Sequence, residues 1–482
     1  MRSVDSPAPT AGDAFGQRLL APGDLDGDHV GDLVIASPGA ASGEGEVVAV
    51  SGADGTLVWN GVLRPVDAAS DAPDTPTRLG TALGLFTDVA GCNQTPGDNC
   101  FALPPDGVPE LLVAAPGADL NNVSAKEIGR VYVVDGRTGA IVKRIQLDPA
   151  GGLPPGGKVE FGASVLTVAD FDGGGRPDIV VGAPGWDDDF GSNPGCEVGE
   201  AAELGTCEQS GRVFLFSGED VTGTPASPVQ AFKAEIPNPF AQDDTSVPAG
   251  TEPERFGAAL VDIGDVGTDG QRDYLVTAPG FDRDTDVRDS GAAFMIDGAT
   301  AQITGKMDPP APQADGRFGE ISYHPPRIGD VGGSGIPDVY VAAPAHTADV
   351  PAQGRAYLLS GDVFAPALLA TLNDPVPVSG GGFGSAASGL ASGGIVVGAP
   401  FGARKGAVHI FDANGTLAQT ICDPDGRSGA GFGASIATLG DMNGDSFDDL
   451  AIGAPGFDQP GRVYILTSEG PAAAGATAVC PT

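Results

Sequence analysis

A pair of residues, Phe-Gly, recurs along this chain, and each recurrence is followed by a turn of small residues that contains proline. The interval from glycine to proline is 22 residues in four copies (16 to 38, 162 to 184, 257 to 279 and 433 to 455). Composition alone does not produce this regularity, so it indicates a repeated structural unit. The pairs, with one Leu-Gly variant as copy two, are Phe15-Gly16, Leu79-Gly80, Phe161-Gly162, Phe256-Gly257, Phe318-Gly319, Phe383-Gly384 and Phe432-Gly433. The prolines are Pro38, Pro116, Pro184, Pro279, Pro344, Pro400 and Pro455.

The segments between these landmarks have the length and composition of β-strands. Copy one has apolar runs at 32–37, 45–50 and 56–59, and copy seven has matching runs at 449–453 and 461–466. They are rich in β-branched residues and end at Gly, Asp-Gly or Pro, as strands do. No window shows a 3.6-residue apolar period of helix length. Together with a strand that begins at each Phe-Gly pair, they predict an all-β unit of four strands.

Seven four-stranded units predict a seven-bladed β-propeller that forms one domain over 1–482. A flat sheet of about 28 strands would leave long exposed edges, which radial packing of blades hides. A β-solenoid is the alternative, although its repeats are usually shorter. Copy seven shows only three clear strands, so its fourth is expected from 471–479 or from the segment before Phe15. The predicted blades are 13–63, 78–147, 160–235, 254–307, 316–373, 381–421 and 430–482.

The chain is strongly acidic, with 64 Asp and Glu against 25 Lys and Arg and a net charge of −39. This charge argues against nucleic acid or an anionic membrane as a direct partner. No apolar run approaches the roughly 20 residues that span a bilayer, so we expect no membrane insertion. The start of the chain lacks the apolar segment of a signal peptide. We expect a soluble monomer.

The six cysteines fall into two close pairs and one distant pair: Cys92 with Cys100, Cys196 with Cys207, and Cys422 with Cys480. None has the CxxC spacing of a zinc or thioredoxin-like site. An even number, with the close pairs in polar loops, favours disulfides and an oxidising, extracellular location. Nearest-neighbour pairing is one of several schemes, and reduced cysteines in a cytosolic protein are the alternative.

Nine-residue loops rich in carboxylates begin eight residues after the glycine of copies one and seven. Oxygen-bearing side chains occupy positions 1, 3, 5 and 9, and a backbone carbonyl at position 7 can add another oxygen. Calcium takes about six to eight oxygens, whereas magnesium prefers a tight octahedron with retained waters. Zinc would require His or Cys at these positions. The predicted calcium ligands are Asp24, Asp26, Asp28, Val30 and Asp32 in copy one and Asp441, Asn443, Asp445, Phe447 and Asp449 in copy seven.

Other copies keep only part of this loop. Copy three has glycine at position 5, copy four has glycine at position 3, and copy five keeps both ends. Copy two is interrupted by an insertion, retaining 106–110 with Asp88 upstream, and copy six lacks the loop. Asp and Gly favour turns in any case, so a metal-free turn is the alternative. The partial sets, which raise the expected calcium sites from two to at most five, are Asp170, Asp172, Arg176 and Asp178; Asp265, Asp269, Gln271 and Asp273; and Asp330 and Asp338.

Phe-Gly, a loop with Asp at both ends and a Gly-Ala-Pro turn together resemble the FG-GAP repeat of the integrin α-subunit N-terminal propeller. The resemblance covers essentially the whole chain. It implies a seven-bladed propeller with calcium between the first and second strands of several blades, on the lower face. The chain departs from it at position 6, where His29 and Ser446 replace a usual glycine. It also shows no transmembrane helix, thigh-like domain or inserted adhesion domain, so integrin heterodimerisation is not implied.

Long insertions are attached to copies one to four, in loops expected on the face opposite the calcium turns. Insertions on one face of a repeat protein commonly mark a binding surface, although tolerated insertions without function are the alternative. They lie at 64–78, 119–128, 148–160, 187–210, 236–255 and 282–290. The predicted ligand-binding residues are Trp186, Asp187, Asp188, Asp189 and Phe190, and the predicted ligand is a protein or a carbohydrate.

The sequence offers little support for an enzyme. Its four histidines are spread over three copies, and neither a Gly-x-Ser-x-Gly elbow nor an HExxH motif occurs. We therefore predict a calcium-binding, extracellular adhesion module without enzymatic activity. A purely structural surface module is the first alternative, and a glycan-active hydrolase with scattered carboxylates is the second.

Overall fold

The structure is a computed structural model, and its secondary structure is almost entirely β. Helical geometry in the described part of the chain is confined to a turn at Ala40–Gly43 and a 3-10 turn at Gly218–Val221. The described residues are 1–64, 76–89, 105–119, 127–148, 153, 158–186, 210–221, 228–239, 254–282, 287–320, 330–361, 367–402, 405–458 and 460–468.

The described strands form seven antiparallel sheets, five with four strands and two with three. The chain is a seven-bladed β-propeller, which confirms the predicted fold class. It divides into two compact units. The first comprises Met1–Leu63, Gly136–Gly139 and Phe318–Thr482, and the second comprises Arg64–Asp135 and Ala140–Arg317.

The first unit contains blades one, five, six and seven, with strands numbered in chain order. Blade one is β2 (Arg18–Gly23), β3 (Asp32–Ser37) and β4 (Glu46–Val50). Blade five is β17 (Val339–Ala343), β18 (Arg355–Leu359) and β19 (Leu368–Asn373), which correspond to the second, third and fourth strands of the other blades. Blade six is β20 (Ala387–Gly389), β21 (Ile395–Ala399), β22 (Ala407–Phe411) and β23 (Leu417–Cys422). Blade seven is β24 (Ser435–Gly440), β25 (Asp449–Ala454), β26 (Arg462–Leu466) and β1 (Arg2–Asp5).

The second unit contains blades two, three and four, each with four strands. Blade two is β5 (Leu83–Leu85), β6 (Leu111–Ala115), β7 (Arg130–Val134) and β8 (Ile141–Ile145). Blade three is β9 (Ser164–Val168), β10 (Asp178–Ala183), β11 (Arg212–Phe216) and β12 (Ala234–Pro237). Blade four is β13 (Leu260–Gly264), β14 (Asp273–Ala278), β15 (Ala292–Ile296) and β16 (Ile303–Met307).

The outer strand of blade seven comes from the start of the chain. Strand β1 pairs antiparallel with β26, and Val4 lies opposite Val463. Val4 is buried, and the Arg462 guanidinium binds the Asp5 carboxylate with Nε 2.6 Å from Oδ1. Of the two sources that the sequence left open, the N-terminal one therefore supplies the fourth strand. Blade seven includes Arg2–Asp5 in addition to its predicted range.

The Phe-Gly pairs join consecutive blades within each unit. The six phenylalanines are buried, and five form a parallel bridge to the glycine that precedes the third strand of the preceding blade. Gly16 shows why glycine follows, since its φ is +81° and an added Cβ would lie 2.6 Å from Val463 Cγ2. The five bridges are Phe15–Gly461, Phe161–Gly129, Phe256–Gly211, Phe383–Gly354 and Phe432–Gly406.

The second strand of each blade is buried along its whole length rather than alternating between buried and exposed residues. All residues of β3, β10 and β25 are buried, whereas the outer strand β19 is mostly exposed or half-buried. A strand in the middle of a blade has protein on both faces, so neither face needs polar side chains. This burial gives the loops between first and second strands a rigid base.

Candidate metal centre

The loop of copy one, residues 24–32, joins β2 to β3 and is shaped by carboxylates that accept backbone N–H groups. Asp24 at position 1 accepts from Gly27 N through Oδ1 (2.6 Å) and from His29 N through Oδ2 (2.8 Å). Burial alone would raise the pKa of Asp24, but these backbone donors outweigh it and lower the pKa below its usual value. Asp24 therefore stays charged at the mouth of the loop.

Three carboxylates of this loop converge on one point. Asp24, Asp26 and Asp28 each offer an oxygen, and these oxygens lie within 4.8 Å of one another. Asp26 Oδ1 accepts from Asp28 N (3.0 Å), and Asp28 Oδ1 accepts from Val30 N (2.7 Å). These bonds hold positions 1, 3 and 5 in place and still leave oxygen lone pairs for a cation. The donor set consists of oxygen alone, which suits a hard cation.

Position 9 has a different role from the other three. Asp32 is fully buried, its Oδ2 accepts from Leu25 N (2.7 Å), and its Oδ1 accepts from Gly52 N (3.0 Å) in the turn after β4. Burial raises the pKa of Asp32. Its carboxylate thus fastens the loop to the next turn of the blade, and it does not belong to the converging group of copy one. We call this arrangement the position-9 latch.

The latch recurs in four other blades. In each, one oxygen of a buried aspartate accepts from the residue at loop position 2, and the other accepts from the turn that follows the third strand. The acceptors and their donors are Asp178 with Phe171 N and Gly218 N, Asp273 with Val266 N and Gly298 N, Asp338 with Val331 N and Gly361 N, and Asp449 with Met442 N and Ser468 N. In these five blades the aspartate at position 9 therefore has a structural role whether or not a metal is bound.

The loop of copy seven repeats the copy-one geometry with one amide. Asp441 accepts from Gly444 N (2.7 Å) and Ser446 N (2.7 Å), and the Ser446 N–H lowers the pKa of Asp441. Asn443 Oδ1 accepts from Asp445 N (2.9 Å), and Asp445 Oδ1 accepts from Phe447 N (2.9 Å). Position 3 thus offers a carbonyl oxygen instead of a carboxylate, so copy seven does not form a three-carboxylate group.

The residue at position 6 adopts the left-handed conformation in both complete loops. His29 has φ +70° and Ser446 has φ +71°. Glycine is the usual residue for this conformation, and other residues adopt it at a cost of about 1 kcal/mol. His29 and Ser446 therefore replace the usual glycine without changing the backbone conformation of the turn.

Copies four and five keep the backbone bonds of the loop but fewer acids. Asp265 accepts from Asp269 N (3.1 Å), and Asp269 accepts from Gln271 N (2.8 Å). Asp330 accepts from Gly335 N (2.6 Å), which lowers the pKa of Asp330. Neither loop has three convergent acids among the described residues. Both fold as the complete loops do, with a poorer set of cation ligands.

In the structure, the two separated parts of the copy-two loop lie next to each other. Asp88 takes the place of position 1, because its Oδ2 accepts from Gly107 N (2.6 Å). Asp106 Oδ1 accepts from Val108 N (2.9 Å), as Asp28 does from its own second neighbour. Glu110 is buried and accepts from Val89 N (2.9 Å) as a glutamate latch. Sequence spacing could not show this, since the insertion separates positions 1 and 5 along the chain.

In copy three the three carboxylates of Asp170, Asp172 and Asp178 also lie within 4.8 Å of one another. Here, however, a basic side chain enters the loop: Lys233 Nζ lies 3.3 Å from Asp172 Oδ2. Arg176, predicted for position 7, places its guanidinium Nε 3.6 Å from Glu219 Oε1. The copy-three loop therefore holds its own counter-ions.

The predicted ligand-binding segment is described only at its first residue. Trp186 is half-buried and packs on its own blade, edge-on to Phe214 at 5.4 Å between ring centroids, with the Arg212 guanidinium 4.7 Å from its ring. Asp187–Asp189 and Phe190 lie outside the described residues, as do five of the six cysteines; Cys422 ends β23. The ligand site and the pairings Cys92–Cys100, Cys196–Cys207 and Cys422–Cys480 stay predictions.

Comparison with known proteins agrees with this architecture. Residues 432–466 match the family model of the FG-GAP repeat. Integrin alpha-3 of Mus musculus is 41% identical over 83 residues, which is 15% of this chain and 8% of that protein. Integrin alpha-7 of Rattus norvegicus is 39% identical over 101 residues (18% and 8%), and integrin alpha-11 of Homo sapiens is 35% identical over 80 residues (15% and 7%). The chain thus spans less than a tenth of the length of these relatives.

No helix in the described part of the chain is both long and apolar enough to cross a bilayer. The buried Phe-Gly pairs, the loops between first and second strands and the matched segment all point to one assignment. The chain is a seven-bladed β-propeller in which residues 432–466 match the FG-GAP repeat, and it is locally similar to integrin alpha chains.

Proposed function

We propose that this protein is an extracellular, calcium-binding adhesion module whose metal stabilises the propeller. The observation that carries the proposal is the convergence of Asp24, Asp26 and Asp28 within 4.8 Å in copy one. Three carboxylates at this separation repel one another, and a divalent cation bound between them removes the repulsion. The oxygen-only donor set favours calcium over zinc, and magnesium would instead prefer a tight octahedron with retained waters.

Calcium in copies one and seven would act where blade seven meets blade one, within the first unit. Both loops are complete at positions 1, 3, 5 and 9. The same region contains the pairing of β1 with β26 and the Phe15–Gly461 bridge. A metal that holds these two loops in their folded geometry therefore supports the closure between the two ends of the chain.

The test is calcium titration of chelator-stripped protein by calorimetry, together with thermal melts. Calcium that binds only the folded state stabilises it by about 2.7 kcal/mol per site at one hundred times Kd. Asp28→Ala and Asp445→Ala should each remove one site. Asp54→Ala is the matched control, because Asp54 is an exposed turn aspartate that binds Thr56 outside the loops. Absence of calcium uptake by the folded wild type would refute the proposal.

For the partner, we propose a protein or a carbohydrate that binds the face opposite the calcium loops. Support comes from the turn between β21 and β22 in blade six, on that face. Phe401 there is 64% exposed, while its backbone N–H is fixed to Gly381 O (3.1 Å). An exposed aromatic ring on a fixed backbone binds a partner with little loss of entropy. Val376, 45% exposed, adds apolar surface in the loop before blade six.

Pull-down from extracellular material and glycan arrays test this second proposal. Wild type should retain a defined partner, and Phe401→Ala or removal of 187–209 should reduce that retention. Leu368→Ala controls for loss of an exposed apolar side chain elsewhere, since Leu368 is 48% exposed at the start of β19 in blade five. A purely structural module would retain nothing specific, and turnover of a glycan by the wild type would favour the hydrolase instead.

A further inference from the structure

A lysine from the outer edge of blade three reaches into the copy-three loop. Lys233 directly precedes β12, and its backbone N donates to Leu215 O of β11 (2.7 Å). This bond fixes where the side chain starts. Its Nζ lies 3.3 Å from Asp172 Oδ2 and 3.8 Å from Asp220 Oδ2. The ammonium group therefore contacts the position-3 carboxylate, which in copy one belongs to the convergent metal-binding group.

A second side chain, that of Glu219, fills the space beside position 5 of this loop, where the complete loops have a carboxylate. Position 5 is Gly174, and an added Cβ there would lie 2.5 Å from Glu219 Cγ. The space that a position-5 carboxylate would need is thus filled by Glu219, whose Oε1 lies 3.6 Å from Arg176 Nε. Lys233 is paired with Asp172 and Arg176 is paired with Glu219, so basic side chains of the protein itself offset part of the negative charge at this loop.

Blade five shows the same replacement with apolar atoms. Position 3 of its loop is Gly332, and an added Cβ there would lie 3.4 Å from Leu369 Cδ2 of β19. A side chain from the outer edge of the blade thus lies next to position 3 in the loops of blades three and five, as an ammonium group beside Asp172 and as methyl groups beside Gly332. In copy one the ion pair seen in the described residues is between His29 and Asp24. No lysine or arginine is paired with that complete loop among the described residues.

We propose that the Lys233 ammonium is the built-in counter-ion of the copy-three loop, where it takes the place of calcium. This inference rests on the proposed calcium binding and excludes copy three from it. The cation is tethered and always present, so blade three keeps its loop folded at any calcium concentration.

The experiment compares calcium stoichiometry in wild type and Lys233→Met, measured by calorimetry on the full chain. Methionine keeps the length of the side chain and removes the charge. Lys306→Met is the matched control, because Lys306 also leaves an outer strand, is 31% exposed against 38% for Lys233, and pairs with Asp308 outside any loop. Melting in EDTA is the second readout, and Asp172→Asn in the wild-type background is a further variant.

Lys233→Met should bind one calcium more than wild type, and its melting temperature in EDTA should fall below that of Lys306→Met. Asp172→Asn should leave the wild-type stoichiometry unchanged. An unchanged stoichiometry in Lys233→Met overturns the inference and leaves the proposed function intact. Loss of one calcium in Asp172→Asn also overturns it, even if Lys233→Met does not fold. A wild type that binds no calcium refutes the proposed function, and this inference with it.

Discussion

Replacing Asp32 by alanine separates the structural role of the carboxylate loop from its role as a metal site. The carboxylate accepts from Leu25 N and Gly52 N, both buried, and from Asp26 N at 3.3 Å. All three bonds are internal to the protein and exist without a cation. Calcium-free stability therefore depends on this residue, although the sequence places it among the metal ligands.

The expected loss follows from the two buried donors. A buried N–H that loses its acceptor costs about 1–3 kcal/mol, so Asp32→Ala costs about 2–6 kcal/mol in total. Burial raises the pKa of Asp32, which shows that holding the charged group there is itself unfavourable. The lower half of the range, about 3 kcal/mol, is therefore the expectation. Asp32→Asn keeps one carbonyl acceptor and should lose roughly half as much.

The assay is urea unfolding in EDTA, followed by circular dichroism, with Asp28→Ala as the control in the same loop. Asp28 is exposed and accepts only from Val30 N in the described structure, so its removal should change calcium-free stability by about 0.5 kcal/mol or less. In excess calcium, neither variant should show the increase in the free energy of unfolding that calcium gives the wild type. Equal stabilities of Asp32→Ala and Asp28→Ala in EDTA would refute the latch.

Three further predictions concern closure, close packing and pH. Deletion of residues 2–5 removes the outer strand of blade seven and should lower the melting temperature by several degrees in calorimetry; an unchanged temperature would show that β1 adds nothing. Gly52→Ala places a Cβ against a backbone carbonyl and should cost about 1–3 kcal/mol by urea unfolding, more than Gly267→Ala, whose added Cβ would make only ordinary contacts. Burial, and then the charge of Arg355, lower the pKa of His346 from 6.5 to about 4, so the unfolded state binds the proton first and stability falls as pH falls from 6.5 to about 4. Over that pH range the free energy of unfolding of His346→Gln should fall by up to about 3 kcal/mol less than that of the wild type. Parallel pH profiles of stability for the two proteins would contradict this prediction.

Some features of the candidate site follow from the sequence because they are local. A loop of nine residues brings its own positions 1, 3 and 5 together, and Asp24, Asp26 and Asp28 do converge. The ends of the interrupted copy-two loop are 18 residues apart between Asp88 and Asp106, so only the fold could show that Asp106 N also donates to Asp88. Spacing within one turn is encoded locally, whereas contact across an insertion depends on the rest of the blade.

The amino-acid sequence by itself determined the number of blades, the β class and the position of the acidic loops. It could do so because buried Phe-Gly pairs and short apolar runs repeat wherever the same backbone geometry repeats. Only the tertiary structure decided that β1 completes blade seven, that Asp32 fastens a loop, and that Lys233 enters one. Each of these joins residues that are distant along the chain, and pairing between distant strands and turns leaves no periodic signal in the sequence.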